Sequence, residues 1–231
     1  MPLRSVAVYT GETAPARALA QCVAQAFSGY KFWEWLMGEY AAAPCSSWLL
    51  ERQISKMLTS KPAVAYAVPV TCDGEPVGIA AVAFLIRCPA RAPPPPPPNF
   101  REQAALVWAL GPRIALRLNA FNAAVGRLHE QDAAAEGEHY MISFVGVLPH
   151  MQGRGLASQV VTAMLATADA ERRPCYLFTA NDRNEAWYAR HGFVTRSRRS
   201  MGAITAGAHA GEEMVVRSML RPAARRTSVR L

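Results

Sequence analysis

The sequence predicts a single α/β domain, and three observations carry that expectation. Strand-like and helical hydrophobic periods alternate through the C-terminal half, from Tyr140 onwards. Two apolar segments flank Asp73-Gly74, the pattern of an antiparallel hairpin. The 231 residues are 51% hydrophobic and 18% charged, which is enough apolar material for one substantial core.

Taken in order, "RSVAVYT" alternates like a strand, and residues 12–27 place Leu19, Val23, Ala26 and Phe27 on one helical face. Residues 46–58 repeat the helical period. "VAYAVPVT" and "PVGIAAVAFLI" form the hairpin pair around the turn "CDGE", with Pro69 marking an edge or a bulge. Six prolines follow at 93–98; they extend as polyproline II and belong to no helix or sheet ladder. A docking ligand for an aromatic groove and a stiff surface connector are both open to such a run, and the connector, over residues 89–100, is the expectation taken. Residues 101–135 are helical in character, interrupted at Gly111-Pro112. Then come a strand at 140–147, a helix at 153–172, a strand at 175–179, a helix at 183–191 closed by Gly192, and a strand returning towards "EEMVVRSML".

Composition excludes several classes. The longest apolar run, residues 78–86, is strand-sized and far short of a membrane span. The N-terminus carries neither the continuous apolar core nor the cleavage site of a signal peptide, so a cytoplasmic protein is expected. Cys22, Cys45, Cys72, Cys88 and Cys175 are odd in number, scattered and never in a CxxC pair, so their spacing suggests neither a disulfide framework nor a zinc site, and no metal is expected. The net charge is +8, but four arginines of the acid-free tail 221–231 supply half of it. The remaining +4 suits a polyphosphate ligand, and no nucleic-acid motif is present. That tail is expected to be disordered.

The chemistry concentrates at "VGVLPHMQGRGLA", residues 145–157. Beyond it Leu156, Val160, Val161, Met164, Leu165 and Ala168 share a helical face, so Gly153 and Gly155 fall in a strand-to-helix turn and the helix's first turn. The N–H groups of such a turn are unpaired and favour anions, and the small residues Gly153, Gly155 and Ala157 let a phosphate approach the main chain. The Rossmann glycine order and the P-loop lysine are both missing. Further on, "TANDRNEAWYARHGF", residues 179–193, would place the amides of Asn181 and Asn184 and the phenol of Tyr188 beside the strand ends.

Together these two segments resemble the GNAT superfamily of acetyl-CoA-dependent N-acyltransferases. "QGRGLA" is similar to its pyrophosphate loop and "N..N...Y...GF" to its later CoA and general-acid segment. The likeness is firmest over residues 140–196, and "GPRIALRL" with "SFVGVLPHMQGRG" is further similar to the puromycin N-acetyltransferase branch. The resemblance implies one GNAT-like acyltransferase domain over residues 1–220, of α/β (α+β) type, with a mixed, mostly antiparallel twisted sheet flanked by helices. It implies that main-chain groups of Val145, Gly146 and Val147 pair with the pantetheine arm, Gly146 marking the bulge that opens the slot. The amides of Gln152, Gly153, Arg154, Gly155, Leu156 and Ala157 would hold the pyrophosphate, and Asn181 and Asn184 would touch the cofactor. Acetyl-CoA is thus the expected cosubstrate, and Tyr188 the acid that protonates the departing thiolate while a neutral amine attacks directly.

The sequence departs from the family over the base. "HYMISFVGV" contains no carboxylate; Met141 and Ser143 occupy the positions where one would be looked for, and Phe178 replaces the glutamate of puromycin-type relatives. His139 is one candidate base, because histidine as a residue type exchanges protons near neutral pH. Glu34 is another, within "GYKFWEWLMGEY", whose aromatics could cage a cationic amine or simply pack in a core. The function expected is acetyl transfer to the amine of a small molecule by a monomer or homodimer, with no nucleic acid or membrane partner. Acetylation of a peptide or protein, and an acyl-CoA-binding module without turnover, are the alternatives; a retained Tyr188 speaks against the last.

Overall fold

Among the described residues seven segments are strands: β1 (Ala7–Thr10), β2 (Ala63–Cys72), β3 (Glu75–Cys88), β4 (His139–Val147), β5 (Cys175–Thr179), β6 (Val194–Ser200) and β7 (Val215–Arg221). They form one sheet in the order β1-β2-β3-β4-β5-β7-β6, in which β4 and β5 are the single parallel neighbours among the described residues. The mixed, mostly antiparallel sheet is therefore the architecture expected. This computed structural model describes residues 5–11, 14–41, 44–60, 63–72, 75–90, 99–201 and 214–224. The Asp73-Gly74 turn, the proline run 93–98 and the tail from 225 lie outside the described residues.

Successive residues of the central strands enter two different cores. Ala63, Ala65, Ala67, Phe84 and Ile86 join the side chains of α1 (Ala16–Phe27), α2 (Lys31–Met37), α3 (Pro44–Ser60) and α4 (Phe100–Ala133). Tyr66, Val68, Ala83, Leu85, Tyr140 and Ile142 meet α5 (Leu156–Ala170) and α6 (Asp182–Ala189) on the other face. Burial on both faces explains why "PVGIAAVAFLI" reads as a continuous apolar run and not as an alternation. Pro69 sits at a bulge: Val68 pairs Ala81 and Pro69 pairs Ile79, leaving Ala80 as the extra residue, so the missing N–H breaks no regular ladder.

Helix boundaries follow local chemistry. The first helix begins at Ala16 behind Pro15, four residues later than its apolar period alone suggests. In α4 the backbone leaves the helical region at Gly111, with φ 74° and ψ 161°, and Pro112 starts a second helix, as the Gly-Pro pair predicts. The C-terminal boundary needs correcting. Arg221 is the last residue of β7, pairs with Cys175, and its guanidinium grips both oxygens of Asp169 at 2.6 and 2.9 Å. The fold thus extends past 220 because a charge-assisted, two-pronged bond anchors the first residue of the expected tail.

Candidate active site

The site begins where two strands part company. β4 pairs with β5 only at Tyr140–Cys175 and Met141–Tyr176, while on its other side it stays paired with β3 as far as Val147. The cause of the divergence is a bulge in β4. Between Ser143–Phe84 and Gly146–Val82 two residues, Phe144 and Val145, oppose Ala83 alone, and Phe144 is held at φ 48°. The bulge is therefore at Phe144, not at Gly146 as expected. Gly146 answers a different need: a Cβ there would stand 2.9 Å from the Ala26 Cβ of α1. Beyond Met141 the β5-facing edge of β4 has no strand neighbour among the described residues, so its main-chain groups are positioned to pair with an extended ligand.

That edge runs directly into the glycine turn. Gly153 and Gly155 have φ 74° and 77°, a region costly for any residue with a Cβ, and among the described residues no atom beyond the adjoining ones lies within 4 Å of where either Cβ would be. The glycines are needed for backbone direction, and the space above them is open. Gly155 is the N-cap of α5, whose first internal bond is Gln159 N–H to Gly155 C=O, so the N–H groups of Leu156, Ala157 and Ser158 have no helical acceptor. Gln152 differs from expectation: its main-chain N–H donates to Pro149 C=O, and its side-chain Nε2 donates to Val147 C=O at 3.3 Å. It ties the turn to the end of β4. Arg154 is solvent-exposed beside them.

On the far side of the gap, α6 carries the other named residues. Asn181 is its N-cap; the side-chain oxygen accepts from the N–H of Arg183 at 2.8 Å and of Asn184 at 3.4 Å. This structural role accounts for Asn181 without a ligand. Tyr188 packs its ring against Trp187 and Phe193, and burial, together with the neighbouring Tyr30, raises its pKa above the ordinary phenol value. Tyr30 is the residue that sequence reasoning left in the background. Burial raises its pKa as well, opposed by hydrogen bonding with the Thr179 side chain, the Ala180 main chain and the Asn184 side chain, and by the charge of Arg217. The Asn184 amide is thus engaged with a phenol from the segment between α1 and α2.

A family model described as "Acetyltransferase (GNAT) family" matches residues 25–193. The chain belongs to the GNAT acetyltransferase family. Among solved structures, it is similar to a putative arylalkylamine N-acetyltransferase 7 of Aedes aegypti, at TM-score 0.64 and 13% identity over 94% of this chain and 87% of that one. It is also similar to a histone acetyltransferase HPA2 and related acetyltransferase of Corynebacterium glutamicum, at 0.60 and 19% over 96% and 99%, and to the polyamine N-acetyltransferase of Drosophila melanogaster, at 0.56 and 11% over 94% and 100%. At these identities the structures share the fold. A comparison with curated protein sequences finds no match.

As a GNAT acyltransferase the protein takes its acetyl group from acetyl-CoA, and the gap fits such a donor: a bare strand edge for an extended arm, then an anion-favouring turn with open space above it. The face of the sheet that packs against α1 to α4 is aromatic. Ring contacts run from Phe84 through Phe144, Phe27, Tyr30, Phe32 and Phe121 to Phe178, with centroids 5.2–6.3 Å apart. Phe178 thus packs where a glutamate was looked for, and Met141 packs against the same core. Trp33 and Trp35 are buried core residues, and the Trp33 indole donates to Ala41 C=O, so of the two roles open to them they take packing. Glu34 stands on the exposed side of α2.

The His139 expectation is corrected. His139 is 3% exposed, bonded to His129 and to Gly137 C=O, and starts β4 at the end away from the gap. Six residues of strand, roughly 20 Å, separate it from Val145. It has no access to an amine in the gap.

Proposed function

We propose that this GNAT acetyltransferase acetylates the primary amine of a small molecule with an apolar body, by direct attack on acetyl-CoA bound along the β5-facing edge of β4. The observation that carries the proposal is the strand edge released at Met141 and continuing into the two left-handed glycines. Main-chain groups of Val145, Gly146 and Val147 hold the extended arm, and one of their N–H groups stabilises the oxyanion. The amides of Gly153 to Ala157 bind the pyrophosphate with Arg154 beside it. Tyr188 gives its proton to the departing thiolate, and its raised pKa keeps that proton in place across neutral pH. Asn184 acts on the cofactor side through Tyr30, whose phenol it contacts.

The aromatic row from Phe144 to Phe178 supports an acceptor with an apolar or aryl body over an extended peptide, because it offers ring faces in place of hydrogen-bonding partners. Named neighbours act on polyamines, agmatine and arylalkylamines. The finer likeness to the puromycin branch rests on the motifs of residues 111–118 and 143–193. Glu34, exposed on α2, is the remaining candidate for a base acting through water. A panel of arylalkylamines, aminonucleosides, polyamines, amino acids and short peptides, read by acetylated product in mass spectrometry, tests the proposal. Turnover confined to amines with aryl or alkyl bodies is expected; turnover confined to peptides would replace this acceptor class.

A further inference from the structure

At the other end of β4 three side chains with metal-binding chemistry come together from three elements. Cys88 ends β3, His139 begins β4, and the two are direct register partners; His129 lies on the second half of α4. The Cys88 thiol and one imidazole nitrogen of each histidine lie within 4.8 Å of one another. The two Nε2 atoms are 2.7 Å apart.

The tautomer of His139 follows from its partner. Gly137 C=O, which only accepts, is 2.8 Å from Nδ1, so Nδ1 carries the hydrogen and Nε2 presents its lone pair to His129. Gly137 stands at φ 72°, the left-handed turn that leads into β4. A ring nitrogen bonded to a main-chain carbonyl, with the opposite nitrogen aimed at other donor atoms, is the arrangement that orients a metal-bound histidine.

We infer that Cys88, His129 and His139 form a binding site for one borderline-soft divalent cation of the zinc class. A thiolate with two imidazoles selects zinc or its cobalt surrogate over magnesium or calcium, which take oxygen ligands. Tetrahedral zinc requires its nitrogen and sulfur ligands about 3.3–3.7 Å apart, so the histidine pair, now 2.7 Å apart, opens by about 0.6 Å and the widest of the three separations, within 4.8 Å, closes by about 1 Å. Binding releases the thiol proton to solvent and shifts the His129 hydrogen from Nε2 to Nδ1, so both imidazoles stay neutral, and water takes the fourth position. The clamp joins the β3 and β4 ends to the helix that carries Phe121, part of the aromatic row. Its role is to hold that helix on the sheet, since the catalytic gap lies at the opposite end of β4. The inference is independent of the acceptor proposed above.

The test uses the full chain, stripped with chelator and titrated with Zn2+ and with Co2+. One equivalent is expected to bind, the Co2+ form showing a thiolate-to-metal charge-transfer band, and zinc at a hundredfold excess over Kd raises Tm by about 5–10 °C. Cys88→Ser abolishes the charge-transfer band, and His129→Gln, at a half-buried helix position, weakens binding at least tenfold. Zinc also slows alkylation of Cys88, followed by mass spectrometry in the unmutated protein. No stoichiometric binding, or binding unchanged in Cys88→Ser and His129→Gln, would overturn the assignment.

Discussion

Ala26 of α1 stands over Gly146 of β4 so closely that a methyl group on Gly146 would come within 2.9 Å of its Cβ. The first helix thereby rests on the strand whose edge is proposed to hold acetyl-CoA. Gly146→Ala is expected to destabilise the fold by about 1–3 kcal/mol through overpacking. Adding Ala26→Gly recovers most of that loss, less about 1 kcal/mol for glycine in a helix. Urea unfolding of the two single variants and the double variant measures the coupling.

The glycine turn gives a contrast of sign. Alanine at Gly153 or Gly155 meets no atom beyond the adjoining ones among the described residues but is held in the left-handed region, at a cost of about 1–2 kcal/mol each. Acetyl-CoA affinity should fall about tenfold in Gly155→Ala as the turn relaxes, read by calorimetry. Gly126 of α4 also has open space around it but an ordinary helical backbone, so Gly126→Ala is expected to stabilise by about 0.5–1 kcal/mol and leave acetyl-CoA binding unchanged.

Asn181 tests whether the cap or the ligand is its main employment. Asn181→Ala removes the acceptor of two α6 amides and should cost roughly 1 kcal/mol of stability, while Asn181→Asp retains the cap. If capping is the main role, Asn181→Asp keeps the wild-type KM for acetyl-CoA, and a rise in KM without loss of stability assigns the side chain to the cofactor instead.

The pH dependence follows from the missing carboxylate and the raised phenol. With Phe178 and Met141 packed where an acid was looked for, the acceptor's own deprotonation limits the rate, so kcat/KM should rise with pH towards the amine's pKa. Tyr188 must be protonated to act, and because its pKa lies above the ordinary value of about 10 it adds no descending limb below that pH. A bell closing near neutrality would contradict this assignment.

Much of the architecture was legible because period and punctuation agree with it. The kink at Gly111-Pro112, the bulge at Pro69 and the turn at Gly153 and Gly155 each follow from what one residue type does to a backbone. The bulge at Phe144 was not legible, because a non-glycine residue at positive φ leaves no mark in sequence and Gly146 drew attention two positions away. Tyr30 was hidden in an aromatic cluster that mostly packs in the core; its contact with Asn184 spans about 150 residues of chain. The grouping of Cys88, His129 and His139 was equally hidden, since no local spacing announces residues drawn together by a strand pair and a helix. Arg221 was assigned to the tail from composition, which cannot show that Asp169 waits for it.

The most direct measurement is release of CoA thiol from acetyl-CoA with a saturating small amine, comparing the wild-type protein with Tyr188→Phe. Acceptor-dependent release that falls about 10²–10⁴-fold in the variant, with acetyl-CoA affinity preserved, is the outcome expected of a general acid. Equal turnover in Tyr188→Phe, or acetyl-CoA bound without any acceptor-dependent release, would contradict it.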